Sequence, residues 1–141
     1  MRHERFDRVD LRPAEGWLIE LLRLWRDDDE AAAQLLLRDA LGFTRARACL
    51  RAFGELADLL TRHGWHSPLI LQQGAASSSE DERTIARFVL TATEQDREQA
   101  LLEATMMVTP VHVLTLVNTA ERVGLPLLCG ECRLRQRCVL N

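Results

Sequence analysis

Clear helix starts and stops divide this chain of 141 residues, and they constrain its fold more than any other feature. Apolar side chains recur at helical spacing through residues 45–62, and Gly64 ends that pattern. Pro13 suits the first turn of a helix, and Ser79 with Glu82 has the spacing of a capping box. These patterns predict an all-α fold.

The predicted helices form a single domain over residues 1–141, as a bundle of five or six helices joined by short loops. The helical core is expected to cover about residues 13–124, because Gly124 and Pro126 together are typical of a helix end. Residues 125–141 are then predicted to be an irregular tail. The expected helices begin at Pro13 and stop before Asp27, and then cover about 28–41, 45–62, 79–90, 94–108 and 110–123.

Composition and charge exclude several classes of protein. No apolar run reaches eighteen residues, which argues against a membrane span, and the first ten residues lack a hydrophobic signal segment, so a cytoplasmic protein is expected. The net charge of −3 argues against a nucleic-acid partner. All 18 basic residues are arginines, which leaves no lysine for Schiff-base chemistry. No complete catalytic set is visible, so enzymatic activity is not the leading expectation.

Three of the four cysteines lie in the last thirteen residues, at C-x2-C-x5-C spacing: Cys129, Cys132 and Cys138. A C-x-x-C pair on a turn aims two sulfurs at one point about 3–4 Å away, and a third cysteine can reach that point if the chain curls back. In a reducing compartment, clustered cysteines are more often metal ligands or redox groups than disulfides. The tail therefore predicts a zinc or iron–sulfur site with these three ligands.

The fourth ligand of such a site stays open. Cys49, His63, His66 and Glu131 are the candidates within the chain, and another chain could also complete the set. Cys49 and the two histidines have simpler interpretations. Cys49 lies on the apolar face of a predicted helix, where a buried small hydrophobic side chain is typical. The two histidines follow a helix end, where they suit the protein surface.

The segment Leu125-Pro-Leu-Leu-Cys129-Gly-Glu-Cys132-Arg-Leu-Arg-Gln-Arg-Cys138 is similar to the end of the iron–sulfur loop in helix–hairpin–helix DNA glycosylases. That family binds a [4Fe–4S] cluster through C-x6-C-x2-C-x5-C. The three cysteines match its last three ligands, whereas the first falls on Arg122. The chain also shows no Gly-rich hairpin with a downstream catalytic aspartate. The resemblance implies an iron–sulfur type of loop with one ligand missing, and it does not imply DNA repair.

Residues 40–125 carry a second, broader resemblance. The segments Glu80-Asp-Glu-Arg, Met107-Val-Thr-Pro110 and Ala120-Glu-Arg-Val-Gly124, at their spacing in this chain, resemble a group of small uncharacterised helical proteins of proteobacteria. This resemblance implies a bacterial protein with a helical fold. It implies no activity.

Two functional hypotheses follow from the sequence. The first is a small metal-binding protein with a structural, sensing or accessory role, for which the loop resemblance favours iron–sulfur over zinc. The alternative is a metal-free helical interaction or regulatory module that self-associates or binds a protein partner through an apolar helix face. Thioredoxin-like redox chemistry at the C-x-x-C pair is disfavoured, because the sequence lacks a βαβ pattern. A tail with no bound metal and no special chemistry stays open as well.

Overall fold

The computed structural model describes the backbone of residues 6–7 and 11–140 and the side chains of residues 11–137. Within these residues the chain forms six α-helices, a short 3-10 turn at Pro110–His112 and a two-residue antiparallel strand pair. The strands are β1 (Phe6–Asp7) and β2 (Ser77–Ser78). The helices are α1 (Pro13–Arg26), α2 (Glu30–Leu41), α3 (Phe43–His63), α4 (Glu80–Thr93), α5 (Arg97–Met107) and α6 (Val113–Leu140).

The predicted all-α class and the single-domain helix bundle are confirmed. The predicted starts are also close to the observed ones, since α1 begins at Pro13 and the predicted capping box of α4 is present. In that box Ser79 Oγ accepts a hydrogen bond from the amide of Glu82 at 3.0 Å, and the Glu82 carboxylate accepts one from the amide of Ser79 at 2.8 Å. None of the described helices combines the length and the apolar character that crossing a bilayer requires.

Helix α6 is the central element of the bundle, because it packs against all five other helices. Its buried apolar and glycine positions recur at intervals of three and four residues from Val113 to Gly130, and Glu131 and Thr119 are buried beside them. The stripe consists of Val113, Leu116, Val117, Ala120, Val123, Gly124, Leu127, Gly130 and Glu131. The bundle is therefore built around one long helix that crosses the others.

The predicted end of this helix near residue 124 is wrong, and so is the predicted irregular tail. Helix α6 continues through Gly124 and Pro126 to Leu140. An interior proline removes a hydrogen bond and costs about 3 kcal/mol. Leu127, one turn beyond Val123, is fully buried. Burying a leucine side chain stabilises a fold by about 1.5–3 kcal/mol, which offsets a large part of the cost of the proline.

The glycine that was expected to end the helix is needed for packing instead. A Cβ atom at position 124 would collide with the Thr93 side chain and would lie 3.2 Å from a methyl group of Val89, both on α4. Gly124 is buried at this crossing. Its small size lets α6 approach α4 closely, so a residue that looks like a stop in sequence serves as a contact point in the fold.

A buried ion pair joins α1, α4 and the irregular segment between α3 and α4. Arg23 and Glu82 are both fully buried, and two parallel hydrogen bonds of 2.8 and 3.0 Å link the guanidinium to the carboxylate. Arg23 also donates to the carbonyl of Ser77 at 2.9 Å, and Glu82 accepts from the amide of Leu71 at 3.2 Å. Because the charges and the loop backbone satisfy one another, this pair fixes the path of residues 71–79 over the helices.

Replacing Arg23 by Met should lower the free energy of unfolding by about 3–5 kcal/mol, because it leaves the buried Glu82 carboxylate without its partner. Urea denaturation at pH 7 measures this change. The matched control is Arg62→Met, which breaks the exposed Arg62–Asp58 pair of 3.0 Å on α3 and should change stability little. Similar losses in the two variants would show that the buried pair does not have the role described for it.

Candidate functional site

The four residues of the Cys129-Gly-Glu-Cys132 segment lie on α6 and are divided between two of its faces. Cys129 and Cys132 are exposed free thiols, whereas Gly130 and Glu131 are buried. Successive residues of an α-helix are rotated by about 100°, so positions three apart lie on one face, with Cβ atoms about 5–6 Å apart. The two thiols therefore share a solvent face, and the two residues between them point into the bundle.

Gly130 marks the place where α6 passes the end of α2. A Cβ atom at this position would lie 2.6 Å from a methyl group of Leu41, 3.1 Å from the carbonyl oxygen of Ala40 and 3.3 Å from the ring of Trp17. No side chain larger than hydrogen fits there without movement of its neighbours. The packing of α6 against α2 and α1 thus explains the glycine of the C-G-E-C segment without any metal.

Glu131 ties α6 to the start of α1. Its carboxylate accepts hydrogen bonds from the Arg12 guanidinium at 2.7 Å, the amide of Ala14 at 3.1 Å and the Arg135 guanidinium at 2.6 Å. Burial alone would raise the pKa of Glu131, but the hydrogen bonds from Arg12 and Ala14 outweigh it, so the pKa lies below its usual value. These contacts occupy Glu131 in the fold and leave it a poor fourth ligand.

Cys49 is fully buried on α3, where its thiol donates a 3.5 Å hydrogen bond to the carbonyl of Val123. Burial raises the pKa of Cys49 to about 12, so the neutral thiol persists at physiological pH. Metal binding requires the thiolate. Cys49 therefore acts as a small core side chain, in agreement with its simpler interpretation.

The two histidine candidates lie at the far end of α3. Gly130 contacts Ala40 and Leu41, immediately before α3 begins, whereas His63 is the last residue of that helix. Twenty residues of helix correspond to about 30 Å. The His63 ring instead stacks on that of His112, with ring centroids 3.6 Å apart. His63 and its neighbour His66 are thus too distant to share a metal with Cys129 and Cys132 of the same chain.

Cys138 continues along the same helix, but its side chain lies outside the described residues. Six positions of regular α-helix separate its backbone from that of Cys132 by about 9 Å along the axis. Among the residues whose placement the structure describes, no three His, Cys, Asp or Glu side chains are grouped closely enough to hold a metal ion. The described part of the predicted site is thus a pair of thiols.

The arginines around the segment mostly serve the fold. Arg122 pairs with Glu55 of α3, Arg133 donates to the carbonyl of Leu41 at 3.5 Å, and Arg135 pairs with Glu131. None of these partners was identified from the sequence. The available signal was the spacing of Val123, Leu127 and Glu131, which continues the buried stripe through the proline.

The charged form of Glu131 stabilises the fold above the usual carboxyl pKa of about 4.3, and this contribution should disappear as the pH falls through its lowered folded-state pKa. Urea denaturation of the wild type and Glu131→Gln between pH 7 and pH 3 measures it. The stability difference should be about 2 kcal/mol at pH 7 and shrink towards pH 3. The control Glu98→Gln alters an exposed carboxylate of α5 and should have little effect. A difference that grows on acidification would contradict the assignment.

Comparisons with known proteins assign no family to this chain, since no family model, no curated protein and no solved structure matches it. The two resemblances described for residues 40–125 and 125–138 therefore stay predictions. The case for a function rests on the side chains of α6 and on the surfaces around it.

Proposed function

We propose that the C-terminal part of α6 binds zinc or an iron–sulfur cluster through cysteine thiolates, with a structural, sensing or accessory role. Cys129 and Cys132 are the first two ligands, and Cys138 is the third ligand expected from the sequence. A metal in this position would organise the end of α6 or join it to another molecule. The proposal assigns no catalytic step to the chain.

The observation that carries this proposal is the common solvent face of Cys129 and Cys132. Both thiols are exposed, and the spacing of their Cβ atoms, about 5–6 Å, lets two sulfurs meet one tetrahedral metal ion after small side-chain rotations. The residues between them, Gly130 and Glu131, are held by the bundle. Since the fold already positions this turn, metal binding there requires no rearrangement of the core.

Two routes complete the ligand set. In the first, the last turns of α6 unwind so that Cys138 curls back towards Cys129 and Cys132. In the second, a second copy supplies its own pair of thiolates, which gives the four-cysteine set common in structural zinc sites. The first route lowers the helix content of a monomer, whereas the second keeps the helix and doubles the mass.

Anaerobically purified protein should contain stoichiometric metal and lose it in the Cys129→Ser/Cys132→Ser variant, because both sulfurs of the exposed pair are then absent. Metal analysis and the absorbance spectrum measure this, and a band near ~400 nm indicates iron–sulfur ligation whereas colourless protein with zinc indicates a closed zinc site. Cys49→Ala is the control and should keep its metal. Far-UV circular dichroism measures helix content and light scattering measures mass, so together they distinguish the two routes. Cys138→Ser should lose metal if Cys138 is the third ligand and keep it if a second copy supplies the other thiolates.

The proposal fails if the wild type is metal-free and takes up neither zinc nor iron with sulfide under reducing conditions. It also fails if the double serine variant binds metal as well as the wild type. If only the Cys49→Ala variant lost its metal while keeping its fold, the metal site would not be the one proposed on α6.

A second candidate function, self-association as a helical interaction module, is favoured by the surface of α5. This helix buries only alanines, Ala100 and Ala104, while Leu102 and Met106 are 63% and 77% exposed. Trp65 is also exposed, and its indole nitrogen donates to the carbonyl of Thr105 at 3.0 Å, which places the ring beside α5. We call Trp65, Leu102 and Met106 the α5 apolar surface.

If the α5 apolar surface mediates self-association, the wild type should form a dimer that Leu102→Ser/Met106→Ser converts to a monomer, because burial of these side chains is then lost. Size-exclusion chromatography with light scattering measures the mass across a concentration series. Leu35→Ser is the matched control, since it removes a comparably exposed leucine of α2. A metal-free wild type that is monomeric at high concentration would exclude this candidate.

A further inference from the structure

A cleft with a basic lining lies between α1, the end of α2 and the C-terminal turns of α6. Its volume is about 430 Å³, within the range of small-molecule sites. The side chains that give it chemical character come from all three helices. They are Trp17, Arg38, Asp39, Arg133, Leu134 and Arg137.

The charge of the cleft is opposite to that of the chain. Three arginines and one aspartate, Asp39, are its charged lining residues, so the lining carries two net positive charges in a protein of net charge −3. A guanidinium presents up to five N–H donors in a planar fork that matches a carboxylate or a phosphate. The lining therefore favours an anionic ligand.

Two of the three arginines are held at the cleft by contacts that, among the described residues, use few of their N–H donors. The Arg38 guanidinium lies over the Phe43 ring at 5.2 Å, a cation–π contact that consumes no N–H group. Arg133 uses one nitrogen to donate to the carbonyl of Leu41 at 3.5 Å. Arg137 lies four positions beyond Arg133, which places both on the same side of α6.

The remaining lining gives the cleft an apolar wall. Trp17 of α1 is half-buried, and its ring lies 3.3 Å from the position that a Cβ atom would take at Gly130. Leu134 of α6 also lines the cleft and is 41% exposed. A planar or apolar group of a ligand can pack against these side chains while its charged end meets the arginines.

We propose that this cleft binds a small organic anion, a phosphate ester or carboxylate with a planar or apolar body. Arg38, Arg133 and Arg137 bind the anionic group, and Trp17 and Leu134 contact the body. The site uses neither Cys129 nor Cys132. It needs Arg133 and Arg137 on one side of a helix, so it is compatible with the route in which a second copy supplies the other thiolates and not with unwinding of the last turns of α6. Its position between α6, α1 and the end of α2 gives α6 a second ligand-binding role.

Isothermal titration of the full-length protein with phenyl phosphate tests the site. Binding with a Kd of about 1 mM or tighter is expected, with at least a tenfold loss in the Arg38→Gln/Arg137→Gln variant. Arg47→Gln/Arg51→Gln is the matched control, because it removes two exposed arginines of α3 that do not line the cleft. The Cys129→Ser/Cys132→Ser variant should bind as well as the wild type.

Two further probes separate the contributions of charge and body. Phenol, which lacks the charge, and inorganic phosphate, which lacks the ring, should each bind at least tenfold more weakly than phenyl phosphate. Equal binding of inorganic phosphate would overturn the assignment of an organic ligand. Absence of binding to the wild type, or equal weakening in the two double variants, would overturn the site itself. If the Arg38→Gln/Arg137→Gln chain does not fold, Arg137→Gln alone, at an exposed position, decides the question.

Discussion

The close packing of α6 against the five other helices is the constraint on which the rest of the structure depends. Two of its contact points require glycine, because Gly124 meets α4 and Gly130 meets the end of α2 with no space for a Cβ atom. Interiors at this packing density do not absorb an added methyl group without displacement. The depth of these two crossings therefore fixes the position of the helix, and with it the position of the thiols that the helix presents.

Two buried carboxylates complete the framework, and both neutralise guanidinium groups while accepting backbone hydrogen bonds. Glu82 binds Arg23 and the segment before α4, while Glu131 binds Arg12 and the amide of Ala14 at the start of α1. A buried charge is tolerated only when its hydrogen-bonding capacity is satisfied, which these partners achieve. These two carboxylates thus connect helices and loop backbone within the fold.

Helix periodicity and capping patterns predicted the class and most helix boundaries, because these signals are local. The capping box of Ser79 and Glu82 is an example that the structure confirms. The extension of α6 could not be predicted in the same way, since Gly124 and Pro126 are local stop signals that tertiary packing outweighs. The candidate site could be predicted only in part from the sequence. The spacing of the cysteines was visible there, whereas only the fold shows that the Glu131 carboxylate already binds Arg12, Ala14 and Arg135.

Near its C-terminal end, α6 presents three groups of residues whose surroundings differ. A change in one group can therefore leave the contacts of the other two intact. Gly130 and Glu131 hold the helix to the bundle, the arginines on one flank line the basic cleft, and Cys129 and Cys132 face solvent. Side chains on the solvent face make few contacts with the core, so their replacement changes stability little. Packing does not explain two exposed cysteines, and a rigid helix is a suitable support for the metal binding that we propose for them.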